Sequence, residues 1–216
     1  MAELWPSWGY DIDPDGPAFD PAALFGRARG NGRGNGNGDG GAERPLVLEI
    51  GCGMGEATVE RAAADPDRDY LGVDVHTPGL GNLLSLARDR GLDNVRAACG
   101  DALELLTDQV KPGSVDTIQV FFPDPWPKAR HHKRRIIQPD IVALMRERLR
   151  PGGVLHCATD WTDYAQQMLE VLSADPGLAN TADGFTPRPD WRPVTKFERR
   201  ALAEGREVYD LVFVAR

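Results

Sequence analysis

Residues 45–56 read Pro45-Leu46-Val47-Leu48-Glu49-Ile50-Gly51-Cys52-Gly53-Met54-Gly55-Glu56. Leu46 to Ile50 is a short apolar run bounded by proline and glycine, the pattern of a buried strand. Glycines follow at Gly51, Gly53 and Gly55, and a helical stretch from Glu56 to Ala64 comes next, ending near Asp65-Pro66. Glycines after a strand and before a helix let backbone approach a ligand closely. The spacing is G-x-G-x-G with Glu49 just before it, whereas a dinucleotide turn wants G-x-G-x-x-G and pyrophosphate at the helix N-terminus. A carboxylate at the turn repels pyrophosphate and suits a cationic ligand.

Outward from this unit, strand-like and helical runs alternate. Strands are expected at Tyr70–Val75, Val95–Ala98, Val115–Phe122, Val154–Ala158 and Val208–Val214. Helices are expected at Asn82–Arg90, Leu103–Val110, Ile136–Leu149 and Thr162–Ala174, the last with Tyr164, Met168, Leu169 and Leu172 at helical spacing. Such alternation implies a doubly wound α/β sheet with right-handed crossovers. Residues 1–25 form a Pro-rich, acidic arm with Leu4, Trp5, Trp8, Tyr10 and Phe25 as apolar anchors, and residues 26–44 a flexible Gly/Asn-rich linker. The folded domain is residues 45–216.

A chain of 216 residues has room for one full core. Its apolar runs are too short to span a bilayer, and its N-terminus has no basic start or apolar stretch of a secretory leader. Cys52, Cys99 and Cys157 show no CxxC and read as reduced thiols of a cytoplasmic protein, with no disulfide framework and no metal site. The sequence leaves monomer and homodimer both open.

The acids fall in register. Glu49 lies at the end of the first strand, Asp74 the second, Asp101 after the third, Asp124 the fourth and Asp160 the fifth. Ligands of open α/β sheets bind outside the carboxyl ends of the strands, so these acids should line one crevice. Asp74 can accept from two ribose hydroxyls and Asp101 from an adenine amino group. Together with Glu49 and the glycine turn, they point to S-adenosylmethionine, which carries a sulfonium and an ammonium.

Residues 121–128, Phe-Phe-Pro-Asp-Pro-Trp-Pro-Lys, form the other distinctive stretch. Its prolines exclude regular helix and central strand, leaving a stiff loop that aims Asp124 and Lys128. Arg130, His131, His132, Lys133, Arg134 and Arg135 follow, a basic run suited to a polyanion although the net charge is −8. Lys196, Arg199, Arg200 and Arg206 form a second basic cluster. Trp126 either stacks on a base or packs against the loop. Thr195 with Glu198 three residues on also reads as a helix capping box.

From about Leu46 to Arg216 the sequence resembles the bacterial tRNA (guanine-N7)-methyltransferases. The resemblance rests on residues 48–55, Gly72 to His76, Phe121 to Arg135, His156 to Trp161 and Arg192 to Arg200. It implies the Rossmann-like, mostly parallel seven-stranded sheet of class I methyltransferases and transfer of a methyl from S-adenosylmethionine to guanine 46 in the tRNA variable loop. It further implies that Glu49, Asp74, Asp101 and Asp124 contact the donor, with Gly51, Gly53 and Gly55 forming its turn. By the same matching, Lys128, Asp160, Thr195, Lys196, Phe197 and Glu198 contact the substrate. Asp124 is the expected catalytic residue, orienting the guanine and balancing the product cation, and Arg130 to Arg135 are expected on RNA. The chain departs from the family in having Asp74 where Glu is frequent, and an acidic arm in place of a basic one. The competing readings are a methyltransferase for another RNA, a small molecule or a protein, a non-catalytic RNA-binding relative, and a nicotinamide oxidoreductase.

Overall fold

A computed structural model describes residues 3–27 and 44–216. Most of the expected linker, residues 28–43, lies outside the described residues. The arm carries a short helix α1 (Trp5–Trp8), a strand β1 (Gly9–Asp11) and a turn of helix α2 (Pro21–Leu24). The body opens with β2 (Leu46–Ile50), α3 (Glu56–Ala64), β3 (Asp69–Asp74), α4 (Thr77–Asp89) and β4 (Val95–Cys99). It continues with α5 (Ala102–Glu104), a π turn (Leu105–Gln109) and β5 (Val115–Phe121). A 3-10 turn (Ala129–Arg134), α6 (Pro139–Arg148), β6 (Leu149–Thr159) and α7 (Thr162–Ala174) follow, then β7 (Leu178–Asn180), α8 (Lys196–Ala203) and β8 (Tyr209–Ala215).

The strands form one eight-stranded sheet in the order β1-β4-β3-β2-β5-β6-β8-β7. All neighbours are parallel except β6–β8 and β7–β8. Body strands β2 to β8 supply the expected mostly parallel doubly wound sheet, and the arm adds an eighth. Every residue of β2 is buried, because a parallel strand covered on both faces has no solvent side. Side chains alternate: Leu48 and Ile50 join the core containing Ile118, Val142, Met145, Tyr164 and Met168. Val47 faces the other way, into the core with Val59, Leu80, Leu83 and Leu84 from α3 and α4.

The chain winds from β2 outward through β3 to β4, then returns to build β5 and β6 on the other side of β2. Strand order therefore reverses between β2 and β5. Their carboxyl ends, the glycine turn and the loop after Phe121, flank the crevice where such sheets bind ligands.

The arm is fastened by specific chemistry. β1 pairs Gly9 with Ala97 and Asp11 with Cys99. Arg96, a buried cation inside β4, is placed between Trp8 and Phe25, 5.1 and 5.0 Å from their ring centres. Arg27 bonds Asp69 at 2.7 Å and Asp93 at 2.9 Å. The π turn presents buried Gln109 to the Tyr10 hydroxyl at 2.7 Å.

Several element bounds differ from those expected. Helix α4 begins at Thr77, not Asn82, with Pro78 in its first turn; Gly79 and Gly81 hide the apolar period there. Helix α6 starts at Pro139 rather than Ile136, and Leu149 opens β6 instead of closing the helix. Strand β6 runs through Pro151-Gly152-Gly153, with an irregular register opposite Val115 and Thr117. The helix expected at Leu103–Val110 widens into the π turn, where the Val110 N–H reaches the Leu105 carbonyl at 2.9 Å.

Candidate active site at the carboxyl ends of the strands

Gly51 and Gly53 have φ of +75° and +56°, and a Cβ on either would meet nothing within 4 Å. Only glycine adopts this backbone readily, and the space beside it is open to a ligand. Gly55 differs. A Cβ there would lie 2.5 Å from the Leu83 side chain, so this glycine lets α4 approach the turn.

Glu49 is 5% exposed and accepts a 2.6 Å hydrogen bond from the Thr58 hydroxyl. Burial raises its pKa to about 7; the Thr58 bond opposes the rise and the negative charge of Asp74 adds to it. Burial also pushes the Cys52 thiol well up, so it is no nucleophile at neutral pH.

Asp74, at the end of β3, accepts from the backbone N–H groups of Gly53 and His76, both at 2.9 Å. It thereby pins the glycine turn to the neighbouring strand. Val75 beside it is 72% exposed, an apolar face at a strand end. Asp101 caps α5 by accepting from the Leu103 N–H at 2.7 Å.

A cleft opens at the glycine turn. It is lined by Glu49, Gly51 and Gly53 on one side and by Phe122, Thr195, Lys196 and Phe197 among others on the opposite side. Asp74, Asp101, Asp124, Lys128 and Asp160 do not line it.

The loop after β5 begins and closes on bulky residues in the left-handed region, Phe122 (φ 50°) and Trp126 (φ 44°). Each such residue costs about 1–3 kcal/mol and persists only where the surroundings hold it. Between them Asp124 is exposed and makes no hydrogen bond or ion pair among the described residues. Trp126 lies under the Arg134 guanidinium at 4.9 Å and edge-on to His131 at 5.9 Å, packed within the loop. Lys128, Arg130, Lys133 and Arg134 are exposed, and His131 and His132 half-buried.

Arg135 departs from the rest of the basic run, and its expected place on RNA is corrected. It is 1% exposed and donates to the Pro125 carbonyl at 2.8 Å, to Gln167 and to Asp163, with its guanidinium over Tyr164. It is the internal anchor of the loop carrying Asp124.

Thr195 caps α8, accepting from the Glu198 N–H at 3.1 Å. Only half of the capping box forms, because the Glu198 carboxylate turns inward to Arg192, at 2.6 and 3.2 Å. Arg192, fully buried, also bonds Asp210 at 2.9 Å, and Asp210 bonds His156 at 2.7 Å. Burial lowers the His156 pKa against the opposing pull of Asp210. This buried network ties α8 to β6 and β8, and leaves Lys196 and Phe197 exposed at the cleft. Asp160, at the end of β6, is paired with Arg206.

Phe122, Thr58 and Val75, not singled out as site residues from the sequence, stand at these positions; Arg206, read there as part of a basic cluster, is spent on Asp160, and Arg192, Asp210 and His156 form the network. No local spacing signals the network, because its members come from separate strands and a loop. Among the described residues, no group of three His, Cys, Asp or Glu is placed to hold a metal ion, and no helix is long and apolar enough to cross a membrane.

Comparison with known proteins places this geometry. A family model described as a putative methyltransferase matches residues 43–211. The tRNA (guanine-N(7)-)-methyltransferase of Streptomyces avermitilis is 53% identical over 215 residues, covering 99% of this chain and 68% of that protein. The protein of the same name from Halorhodospira halophila is 52% identical over 212 residues, covering 97% and 85%. The crystal structure of the 16S rRNA methyltransferase KamB shares the fold, with a TM-score of 0.61 at 18% identity over 80% of this chain and 89% of that one. With more than half of its residues identical to such relatives over nearly its full span, the chain belongs to the tRNA (guanine-N(7)-)-methyltransferase family.

Proposed function

We propose that this chain methylates N7 of guanine 46 in the tRNA variable loop, with S-adenosylmethionine as donor. The observation that carries the reading is the cleft with buried, ionisable Glu49 and two open glycines on one side and Thr195 to Phe197 on the other. The donor supplies a methyl on a positively charged sulfur.

The residues present fit such a molecule. Glu49 offers negative charge to its ammonium, and Gly51 and Gly53 leave space beside the turn. Each Asp74 oxygen already takes one backbone hydrogen bond. A carboxylate oxygen accepts two, so Asp74 retains capacity for both ribose hydroxyls. Asp101 uses Oδ1 in its cap, leaving Oδ2 for an adenine amino group, and Val75 offers an apolar face to the adenine ring.

Guanine N7 has a free lone pair, so no base need remove a proton from it. The methyl leaves sulfur with its charge, and the purine becomes cationic. The protein's work is alignment of the base and stabilisation of that charge. Asp124 is the carboxylate for it: exposed, without a partner among the described residues, and on a loop braced by Arg135. It accepts from the N1 and N2 hydrogens of guanine and offsets the new cation. Asp160, held by Arg206, assists from the end of β6. Lys128, Arg130, Lys133 and Arg134 hold tRNA phosphates.

The test is incubation with an unmodified tRNA transcript and methyl-labelled S-adenosylmethionine, followed by nucleoside analysis. Label in 7-methylguanosine is expected, and none when position 46 carries adenosine. Label retained in that transcript would refute the position. Donor binding without transfer to any tRNA would refute the substrate class.

A further inference from the structure

Six ring pairs are in contact among the described residues, and one is unlike the rest. Five meet edge-on or tilted, at 52° to 90°, with centroids 4.8 to 5.9 Å apart. Phe122 and Phe197 are near-parallel, at 22°, and the farthest apart, at 6.1 Å. Both border the cleft that contains Glu49 and the glycine turn.

The backbone is arranged to produce this pair. Phe122 takes φ of +50° one residue after β5 ends, held by its N–H on the Ala158 carbonyl at 2.7 Å. The kink swings its ring toward α8. Phe197 sits in the first turn of α8, is 48% exposed, and is fixed from behind by buried Glu198 on Arg192. Ordinary core packing asks neither for a bulky residue in the left-handed region nor for a phenylalanine half in water.

We propose that Phe122 and Phe197 are the two walls of a slot that receives the guanine base by stacking, Phe122 being a substrate-binding residue of the site. This rests on the guanine-N7 reading. A centroid separation of 6.1 Å is that of two rings in direct contact, so the rings must part to admit a base between them. Stacking uses only the faces of the purine. Its edges stay free, the N1 and N2 hydrogens for Asp124 and N7 for the methyl. Methylation makes the purine cationic, and an aromatic face attracts a cation. The slot therefore holds the charged transition state better than the neutral base, which is the condition for accelerating transfer. The Arg192 guanidinium, 5.9 Å from the Phe122 ring, is neutralised by Glu198 and Asp210, while the Lys196 ammonium, 5.2 Å from the Phe197 ring centre, already covers one face of that ring and leaves the Phe122 face as the stronger cation site.

The test uses the full chain with Phe122→Leu, Phe197→Leu, Phe122→Tyr and Phe197→Tyr. Leucine keeps the apolar volume and removes the π face, and tyrosine restores it. Single-turnover formation of 7-methylguanosine in tRNA is measured beside the Kd for S-adenosylhomocysteine and the melting temperature. Each leucine variant should slow transfer about 10- to 100-fold, the range for loss of one base–aromatic stack. Product affinity should change within about threefold, and the tyrosine variants should recover most of the rate. If Phe122→Leu fails to fold, Phe197→Leu at the exposed wall carries the test. Leucine variants that transfer as fast as wild type, or that lose S-adenosylhomocysteine affinity in the same proportion as rate, overturn the slot. When wild type forms 7-methylguanosine and the leucine variants match it, the slot alone falls; when wild type forms none, the reading beneath it falls too.

Discussion

Replacing Glu49 with Gln should stabilise the fold and impair the site, and the opposite signs are the point. Glu49 is 5% exposed, and its pKa stands at about 7 against an ordinary 4.5. A folded-state value above the unfolded one means that ionised Glu49 works against folding. The interval corresponds to about 3 kcal/mol at pH 8. It shrinks to about 1 kcal/mol at pH 5, where folded Glu49 is protonated and the unfolded side chain is still mostly ionised, and vanishes below about pH 4. Glutamine keeps the shape and can accept from Thr58 through its amide oxygen. Glu49→Gln should therefore raise Tm at pH 8 by up to about 10 °C, at ~2–4 °C per kcal/mol for a chain of this size, and by much less at pH 5. Donor binding should weaken by about 10- to 100-fold, the worth of a charge-assisted hydrogen bond. Wild-type affinity should rise with pH up to about 7 as Glu49 ionises, and the variant's should stay flat across that window. Thermal unfolding and calorimetric titration with S-adenosylmethionine at pH 5, 6, 7 and 8 measure all of this. A variant less stable than wild type at pH 8, with donor affinity intact, would show that Glu49 is a structural partner of Thr58, and the argument for a cationic ligand would fail.

Asp124→Ala should cut methyl transfer by about 100-fold while donor affinity stays within about threefold, since its carboxylate is assigned to the guanine and has no structural partner among the described residues; equal losses in both would remove it from catalysis. Arg134→Ala should lower the salt slope of tRNA binding by about 0.7 to 0.9. Arg135→Ala should leave that slope unchanged and cost about 2–3 kcal/mol in urea unfolding, because it removes a buried anchor; a changed slope with unchanged stability would put Arg135 back on the RNA face. Gly55→Ala should lose about 2 kcal/mol or more from the contact with Leu83 and the left-handed backbone, and a neutral result would contradict the packing of α4 on the turn. Arg192→Met should cost about 3–5 kcal/mol by leaving Glu198 and Asp210 buried together, with pH 5 partly relieving the loss as carboxylates protonate; pH-independent destabilisation would argue against that cause.

Local pattern was enough for much of this protein. Apolar runs and glycine punctuation placed β2 and α3, and the helical spacing of Tyr164, Met168 and Leu172 placed α7, because those elements are specified by the period of their own side chains. Pattern failed where competing signals overlap. Gly79 and Gly81 obscured the start of α4, and the Pro-Gly-Gly stretch concealed that β6 runs through it. Short β1 and β7 carry too few residues for a period and exist because a neighbouring strand edge needs a partner.

The site divides in the same way. The glycine turn was legible, and the acids stand at or just after the strand ends as expected, since topology brings the carboxyl ends of parallel strands together whatever the side chains do; but of those five acids Glu49 alone lines the cleft. Which members of a run face which way was not legible. Arg134 and Arg135 are adjacent and chemically alike, yet one is exposed and the other 1% exposed under the loop. Glu198 reads as a capping-box acid, but a buried guanidinium six residues earlier outcompetes the backbone for its carboxylate. The near-parallel Phe122 and Phe197 rings come from segments far apart in the chain and meet through a left-handed residue that no propensity favours. The sequence alone determined the sheet and the chemistry available at its edge, because both follow from local period and residue type. Only the tertiary structure decided which charges are free to meet a ligand and which are spent on one another, because burial and pairing depend on neighbours distant in sequence.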